Sequence, residues 1–230
     1  MKVSVFGSTG GTGVATLRAL LAAGHEVTAF ARDPSKLSGV ASIGAGVAST
    51  EAGVSSIRAV RGDVGSRAEV DAAVTGQEAV IVTLGNSQNP FAMMLGARRT
   101  TAPDVCTVGT RHIVDAMHAA GVARLIVVTA FGIGATAERL PLAFRLFYRI
   151  VLREHMADKE SQERVVKASG LAWTLVQPVG LTDGPATGEW RADTHGAIRR
   201  QQIRRADVAA FLVSLVGSSA YISATVALSG

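Results

Sequence analysis

Apolar residues in this chain fall into short unbroken runs, separated by longer stretches in which they recur at helical spacing. Lys2–Phe6 is the first such run and ends directly on Gly7, the mark of a buried strand. From Val14 the apolar positions return at Leu17, Leu20 and Leu21, one face of a helix, and Gly24 follows as its stop. Similar runs predict strands at Glu26–Phe30, Ile57–Val60, Ala79–Leu84, Arg124–Thr129 and Trp173–Gln177, the last ended by Pro178. Helices are expected over Arg67–Val74, Thr107–Ala120, part of Glu154–Ala168 and Arg205–Val216, with a closing strand at Tyr221–Leu228. Ser38–Ser56 is rich in Gly, Ala and Ser without periodicity and reads as a surface loop or frayed helix. Strands and helices alternate with no internal repeat or linker. That order implies an α/β fold: a doubly wound parallel sheet of the Rossmann type in three α/β/α layers, one domain over 1–230.

Composition narrows the picture. A chain of 230 residues, 48% hydrophobic, suits one such domain better than two. Aromatic residues make up only 5%, which favours close helix–sheet packing by Ala, Val, Leu and Gly. The single cysteine, Cys106, asks for no oxidising compartment. The opening MKVSVFGSTGG lacks the basic start and apolar core of a signal peptide, and no apolar run reaches the roughly 18 residues of a membrane span. A cytoplasmic protein is expected. The net charge of +5 lies partly in pairs such as Arg98–Arg99, Arg199–Arg200 and Arg204–Arg205, with no interleaved aromatics. It suits a polyanionic cofactor better than nucleic acid. The five histidines (25, 112, 118, 155, 195) have no metal-ligand spacing, and no Gly-x-Ser-x-Gly elbow is present.

The chemistry begins at Gly7-Ser8-Thr9-Gly10-Gly11-Thr12-Gly13, where glycines at spacing three leave a strand and open a helix. The backbone must turn tightly there, approach a pyrophosphate with no Cβ in the way, and pack helix against strand. The helix N-terminus adds free N–H groups and partial positive charge. Dinucleotide binding follows. No lysine stands where a mononucleotide P-loop would need one. After the second strand, Arg32 is placed to pair with the 2′-phosphate of NADP(H), while the adjacent Asp33 would hold the ribose of NAD(H). Asp33 has another use, capping a short helix at Pro34–Leu37. NADP(H) is therefore preferred over NAD(H).

Here the chain resembles the atypical short-chain dehydrogenases/reductases, the NAD(P)-binding NmrA-like group. The likeness rests on VFGSTGGTG, ARDPSKL, Gly62-Asp63-Val64 and Thr83-Leu84-Gly85. It continues through Val108-Gly109-Thr110, Ser169-Gly170-Leu171, Gln177-Pro178 and Arg205-Ala206-Asp207-Val208-Ala209. It is similar above all to biliverdin-beta reductases, which also reduce flavin, and that similarity extends into Asp183-Gly184-Pro185 and Thr187-Gly188. The resemblance implies that Gly10, Gly11, Thr12 and Gly13 hold the pyrophosphate and Arg32 the 2′-phosphate. Asp63 and Val64 would edge the adenine, Leu84 and Gly85 would line the ribose side, and Thr129 and Pro178 would flank the nicotinamide.

No Tyr-x-x-x-Lys pair is present, since Tyr148 is followed four residues later by Leu152. The matching pair is His155 and Lys159, one helical turn apart, with Lys159 on the nicotinamide ribose and His155 a proton donor near neutral pH. The plainer alternative is a solvated helix carrying Glu154, Asp158, Lys159, Glu160 and Glu163. For Thr129 the alternative is a strand residue bonding nearby backbone. Ala130 stands where biliverdin-beta reductases carry a serine, which disfavours biliverdin. Flavins and quinones remain, because their proton can come from water. Two segments are expected to choose the substrate: Asn86–Val105, with Gln88, Asn89, Phe91, Met93 and Met94, and Gly132–Arg153, with Phe144, Phe147 and Tyr148. Leu140–Leu152 also reads as an interface or membrane-adsorbing helix, and Arg145 and Arg149 on one face favour a lid or an interface. The expected function is an NADPH-dependent oxidoreductase passing hydride to a small planar acceptor, acting as a monomer or homodimer. The alternatives are a non-catalytic NmrA-like dinucleotide sensor and, less favoured by length, a nucleotide-sugar epimerase.

Overall fold

The computed structural model describes all residues except 41–55, 87, 89–95, 97, 99, 141–144, 148 and 149. Most of the Ser38–Ser56 segment therefore lies outside the described residues. So do Asn89, Phe91, Met93, Met94, Arg99, Phe144, Tyr148 and Arg149.

Strands β1 (Lys2–Phe6), β2 (Glu26–Ala31), β3 (Ser56–Arg61), β4 (Ala79–Val82), β5 (Arg124–Val128) and β6 (Ala172–Pro178) all run parallel. They are joined in one sheet by β10 (Ala224–Ser229) and β8 (Arg191–Asp193), in the order β3-β2-β1-β4-β5-β6-β10-β8. β10 runs parallel to β6, and β8 closes the edge antiparallel. A second, two-stranded sheet pairs β7 (Gly180–Thr182) with β9 (Gln202–Arg204). The unbroken apolar runs have a simple cause. Val3, Val5, Ile81 and Ile126 face α1 (Gly11–Ala22) and α5 (Arg205–Val216), while Phe6, Val80, Val82 and Leu125 face the other layer. That layer holds α2 (Arg67–Val74), α3 (Val105–Ala120) and α4 (Arg153–Lys167). Both faces of each central strand are buried, as a sandwiched parallel sheet requires. The three-layer, doubly wound architecture is as expected, and the strand order reverses between β1 and β4. Ligands of such sheets bind beyond the carboxyl ends of the strands at that crevice.

Several boundaries differ by a residue or more from those expected, and three have clear physical reasons. β4 stops at Val82, because its β1 neighbour ends at Phe6: the Thr83 N–H makes the last bond across, to the Phe6 carbonyl at 2.8 Å, before Gly7 turns the chain. The final strand begins at Ala224 rather than Tyr221, since Tyr221 and Ser223 adopt positive φ of 58° and 55°, which no strand accommodates. α3 starts two residues early because its first turn is capped from outside, by Asp158 of α4: the carboxylate accepts from the Cys106 and Thr107 N–H groups at 2.9 Å each. Asp104, the local cap position, makes no side-chain cap bond.

Candidate functional site

The glycine loop joins β1 to α1, and each glycine answers a different demand. Gly7 turns the chain at φ 80°, and a Cβ there would stand 2.7 Å from the Thr83 carbonyl. Gly13 seats the helix on the strand, since a Cβ would come within 2.2 Å of the Gly7 carbonyl oxygen. Gly10 is different: a Cβ would meet only the Gly7 oxygen, at 3.4 Å. The protein does not crowd it, and the position faces open space. The Ser8 hydroxyl is buried and donates to the Phe30 carbonyl at 2.8 Å, tying the loop to the end of β2. Thr9, Gly10 and Gly11 are exposed, Thr12 is half-buried, and Gly10 caps α1 with no side-chain cap bond. The first N–H groups of α1 are thus presented at the crevice.

Arg32 leaves the end of β2 exposed to solvent. Asp33 takes its alternative role, capping the 3-10 turn Pro34–Leu37 with bonds from the Ser35 hydroxyl at 2.6 Å and its N–H at 3.2 Å. The Ser35 hydroxyl holds the Asp33 carboxyl below its ordinary range. At the end of β3, the Asp63 carboxylate accepts from the Gly65 N–H at 2.7 Å, while its own N–H donates to Glu69 at 2.6 Å. Val64 is buried against Gly109, and its carbonyl bonds His112 Nδ1 at 2.9 Å.

A cleft of about 280 Å³ opens beyond β4 and β5, lined among others by Gly85, Asn86, Ala130, His155, Met156 and Lys159. His155 and Lys159 do face it together. The Lys159 ammonium donates to the Leu84 carbonyl, to the Val128 carbonyl at 3.0 Å and to Gln162 Oε1 at 3.1 Å, bracing β4 against β5. Cys106 also lines the cleft wall, and burial pushes its thiol up to about 11. Thr129 is buried behind Ala130, where its hydroxyl donates to Glu163 Oε1 at 2.7 Å. Pro178 is buried at the end of β6, its carbonyl bonded to the Phe131 N–H at 3.0 Å.

Residues 7–219 match a family model described as NAD(P)H-binding. The chain belongs to that family. The resemblance to atypical short-chain dehydrogenases/reductases is borne out with it, and the fold is an NAD(P)-binding Rossmann one. An uncharacterized chloroplastic protein of Arabidopsis thaliana is 28% identical over 187 residues, 81% of this chain and 61% of its own length. The chain thus spans about three-fifths of that curated relative. Among solved structures, an anaerobilin reductase from Escherichia coli O157:H7 superimposes with a TM-score of 0.75 at 24% identity, covering 99% of this chain and 96% of its own. A short-chain dehydrogenase/reductase from Veillonella parvula in complex with NADP does so at 0.72 and 15%, covering 100% and 94%. Both show the fold. The residues present fit a dinucleotide: Gly10 has an open face, and the first turn of α1 has no side-chain cap.

The NAD(P)H-binding core carries a polar network that includes two carboxylates, Asp158 and Glu163, which the plainer alternative for this helix placed in solvent. Glu163 and Asp158 are 2% and 7% exposed, which corrects the picture of a solvated helix for both. Glu163 accepts from Thr129 and from Gln177 Nε2, each at 2.7 Å, and lies 3.4 Å from Lys167. Gln177 in turn accepts from Thr136 at 2.8 Å, whose hydroxyl takes the Gly132 N–H at 2.8 Å. The network fixes the loop after β5 that walls the cleft. Among the described residues no metal-binding group of His, Cys, Asp and Glu occurs, and no helix is long and apolar enough to cross a membrane.

Proposed function

We propose that this single-domain protein is an NADPH-dependent reductase of small planar acceptors such as flavins or quinones. The observation that carries the reading is the state of Thr129: the hydroxyl at the end of β5 donates its hydrogen bond to Glu163, behind the cleft wall. A carbonyl reduction needs a placed acid, whereas flavin and quinone can take their proton from water. When bound, the reduced nicotinamide supplies the hydride. The chain's own residues do the rest. The glycine loop binds the pyrophosphate through backbone N–H groups, and Arg32 pairs with the 2′-phosphate. Asp63 and Val64 edge the adenine, and Leu84 and Gly85 border the ribose. Lys159 can exchange its Gln162 bond for a ribose hydroxyl while its two carbonyl bonds hold it in place, and Gln162 keeps its bond to Thr110 at 2.8 Å. Thr129 and Pro178 shape the nicotinamide side from behind.

The deciding measurement is NADPH oxidation against a panel of flavin, quinone and carbonyl acceptors. Steady turnover with flavin or quinone is expected. Turnover confined to carbonyls overturns the acceptor class, and tight binding without turnover identifies a dinucleotide sensor. Arg32→Ala should weaken NADPH by about 10- to 100-fold and leave NADH nearly unchanged, as titration of both will tell. Equal losses would remove Arg32 from the 2′-phosphate.

His155→Phe should leave flavin reduction within several-fold of wild type, since solvent supplies the proton and the ring keeps its place in the cleft wall. A fall of about 10²- to 10⁴-fold, with a pH dependence near neutrality lost, would make His155 the general acid instead.

A further inference from the structure

The first turn of α5 carries a motif to which the proposed function gives no work: Arg204-Arg205-Ala206-Asp207. Each of its three charged side chains has a partner. Buried Asp207 accepts from the Thr187 N–H and hydroxyl at 2.8 Å each and from the Gly188 N–H at 2.9 Å. Arg204 donates to the Pro185 carbonyl at 2.7 Å. Arg205 crosses to the glycine loop. A Cβ on Gly11 would stand 2.9 Å from its Nε, 3.0 Å from its Cδ and 3.5 Å from its Cζ, the three nearest atoms all belonging to Arg205. The lack of a side chain at Gly11 is what admits the guanidinium. On its far side Arg205 donates to Asp183 at 2.7 Å, and that carboxylate is 88% exposed against 28% for the arginine.

This arrangement is electrostatically odd without an anion. A guanidinium overlies the first turn of α1, a positive helix end where cations are disfavoured; α5 carries Asp207 in its own first turn, whereas α1 has no acidic residue in its first turn. The one carboxylate paired with it is a solvated aspartate, a weak partner. A diphosphate on the glycine loop would answer the α1 end and the guanidinium together.

We infer that Arg205 is a pyrophosphate-binding residue and that Asp183 is the in-chain anion with which the cofactor competes for it. The inference rests on the dinucleotide reading of the glycine loop. Binding exchanges the Arg205–Asp183 pair for Arg205–diphosphate. It thereby releases one end of segment 183–188, while Asp207 keeps the other end pinned at Thr187 and Gly188. Cofactor occupancy is thus passed to the segment that follows β7.

The test is equilibrium titration of NADPH and NADH into wild type, R205Q, D183N and the double variant, with melting temperatures as the check on folding. R205Q should weaken both cofactors by at least tenfold, because both carry the pyrophosphate. D183N should tighten both by threefold or more, and the double variant should match R205Q. Unchanged affinity in R205Q overturns the inference, as does a loss confined to NADPH, which would place Arg205 at the 2′-phosphate. Weaker binding in D183N overturns the competition. Should wild type bind neither nucleotide, the reading of the loop itself fails; a wild type that binds beside an unaltered R205Q sinks only this inference.

Discussion

A valine at position 10 should abolish dinucleotide binding and leave the fold standing. The helix α1 begins on Gly10, whose φ of −74° and ψ of 160° any residue adopts. A side chain there meets only the Gly7 oxygen, at ordinary contact distance, and otherwise projects into the space that the pyrophosphate needs. Affinity for NADPH should fall more than about 100-fold, equivalent to roughly 3 kcal/mol. The loss of a good cap residue costs about 1 kcal/mol, a few degrees of melting temperature in a chain of this size. Gly13→Val is the contrast. Its side chain would collide with the Gly7 carbonyl at 2.2 Å and the Ser8 Cα at 2.9 Å, backbone atoms that cannot step aside. That variant should lose the fold, and with it everything else. Titration and circular dichroism on the two proteins separate the roles, and full affinity in Gly10→Val would end the assignment of the loop.

Glu163→Ala should be the most destabilising substitution outside the glycine loop. It leaves the Thr129 hydroxyl and the Gln177 amide as buried donors and strips Lys167 of its carboxylate. Breaking a buried charge-assisted network by removing its centre costs about 3 kcal/mol. That is roughly 6–12 °C in a domain of this length. Glu163→Gln keeps an acceptor for Thr129 and should lose about half as much. The damage should also reach the cleft, because the same network holds the loop from Gly132 to Thr136. A thermal melt in which Glu163→Ala matches wild type would show that Thr129 and Gln177 find other partners.

The two kinds of buried surface explain what could be read from the sequence. Central strands betray themselves because both faces are apolar, and the glycine loop because a turn, a close approach and a helix start need glycine at set intervals. Asp33 could be read as a cap because Pro34 follows it. β7, β8 and β9 are three residues each, too short for alternation to register. α4 hides for the opposite reason. It buries Asp158, Gln162, Glu163 and Val166, a stripe at helical spacing that is mostly polar. A pattern of hydrophobicity assigns such a face to solvent. The partners that make its burial favourable, Cys106, Thr107, Thr129 and Gln177, lie 14 to 52 residues away in sequence. The same holds for Arg205, whose meaning depends on Gly11 at the other end of the chain. What could not be read was pairing over distance, and the spacing of α4's polar stripe was the one local hint of it.

The chain's one cysteine bears on how the protein ages in air. Reduced flavins and quinols pass electrons to dioxygen, so a reductase of such acceptors works in the peroxide it indirectly generates. Peroxide attacks thiolate rather than thiol. With burial pushing its thiol up to about 11, Cys106 stays in the thiol form at neutral pH. Under the proposed function Cys106 is therefore a poor target for the peroxide that aerobic turnover would generate, and its thiol should stay reduced with no added reductant.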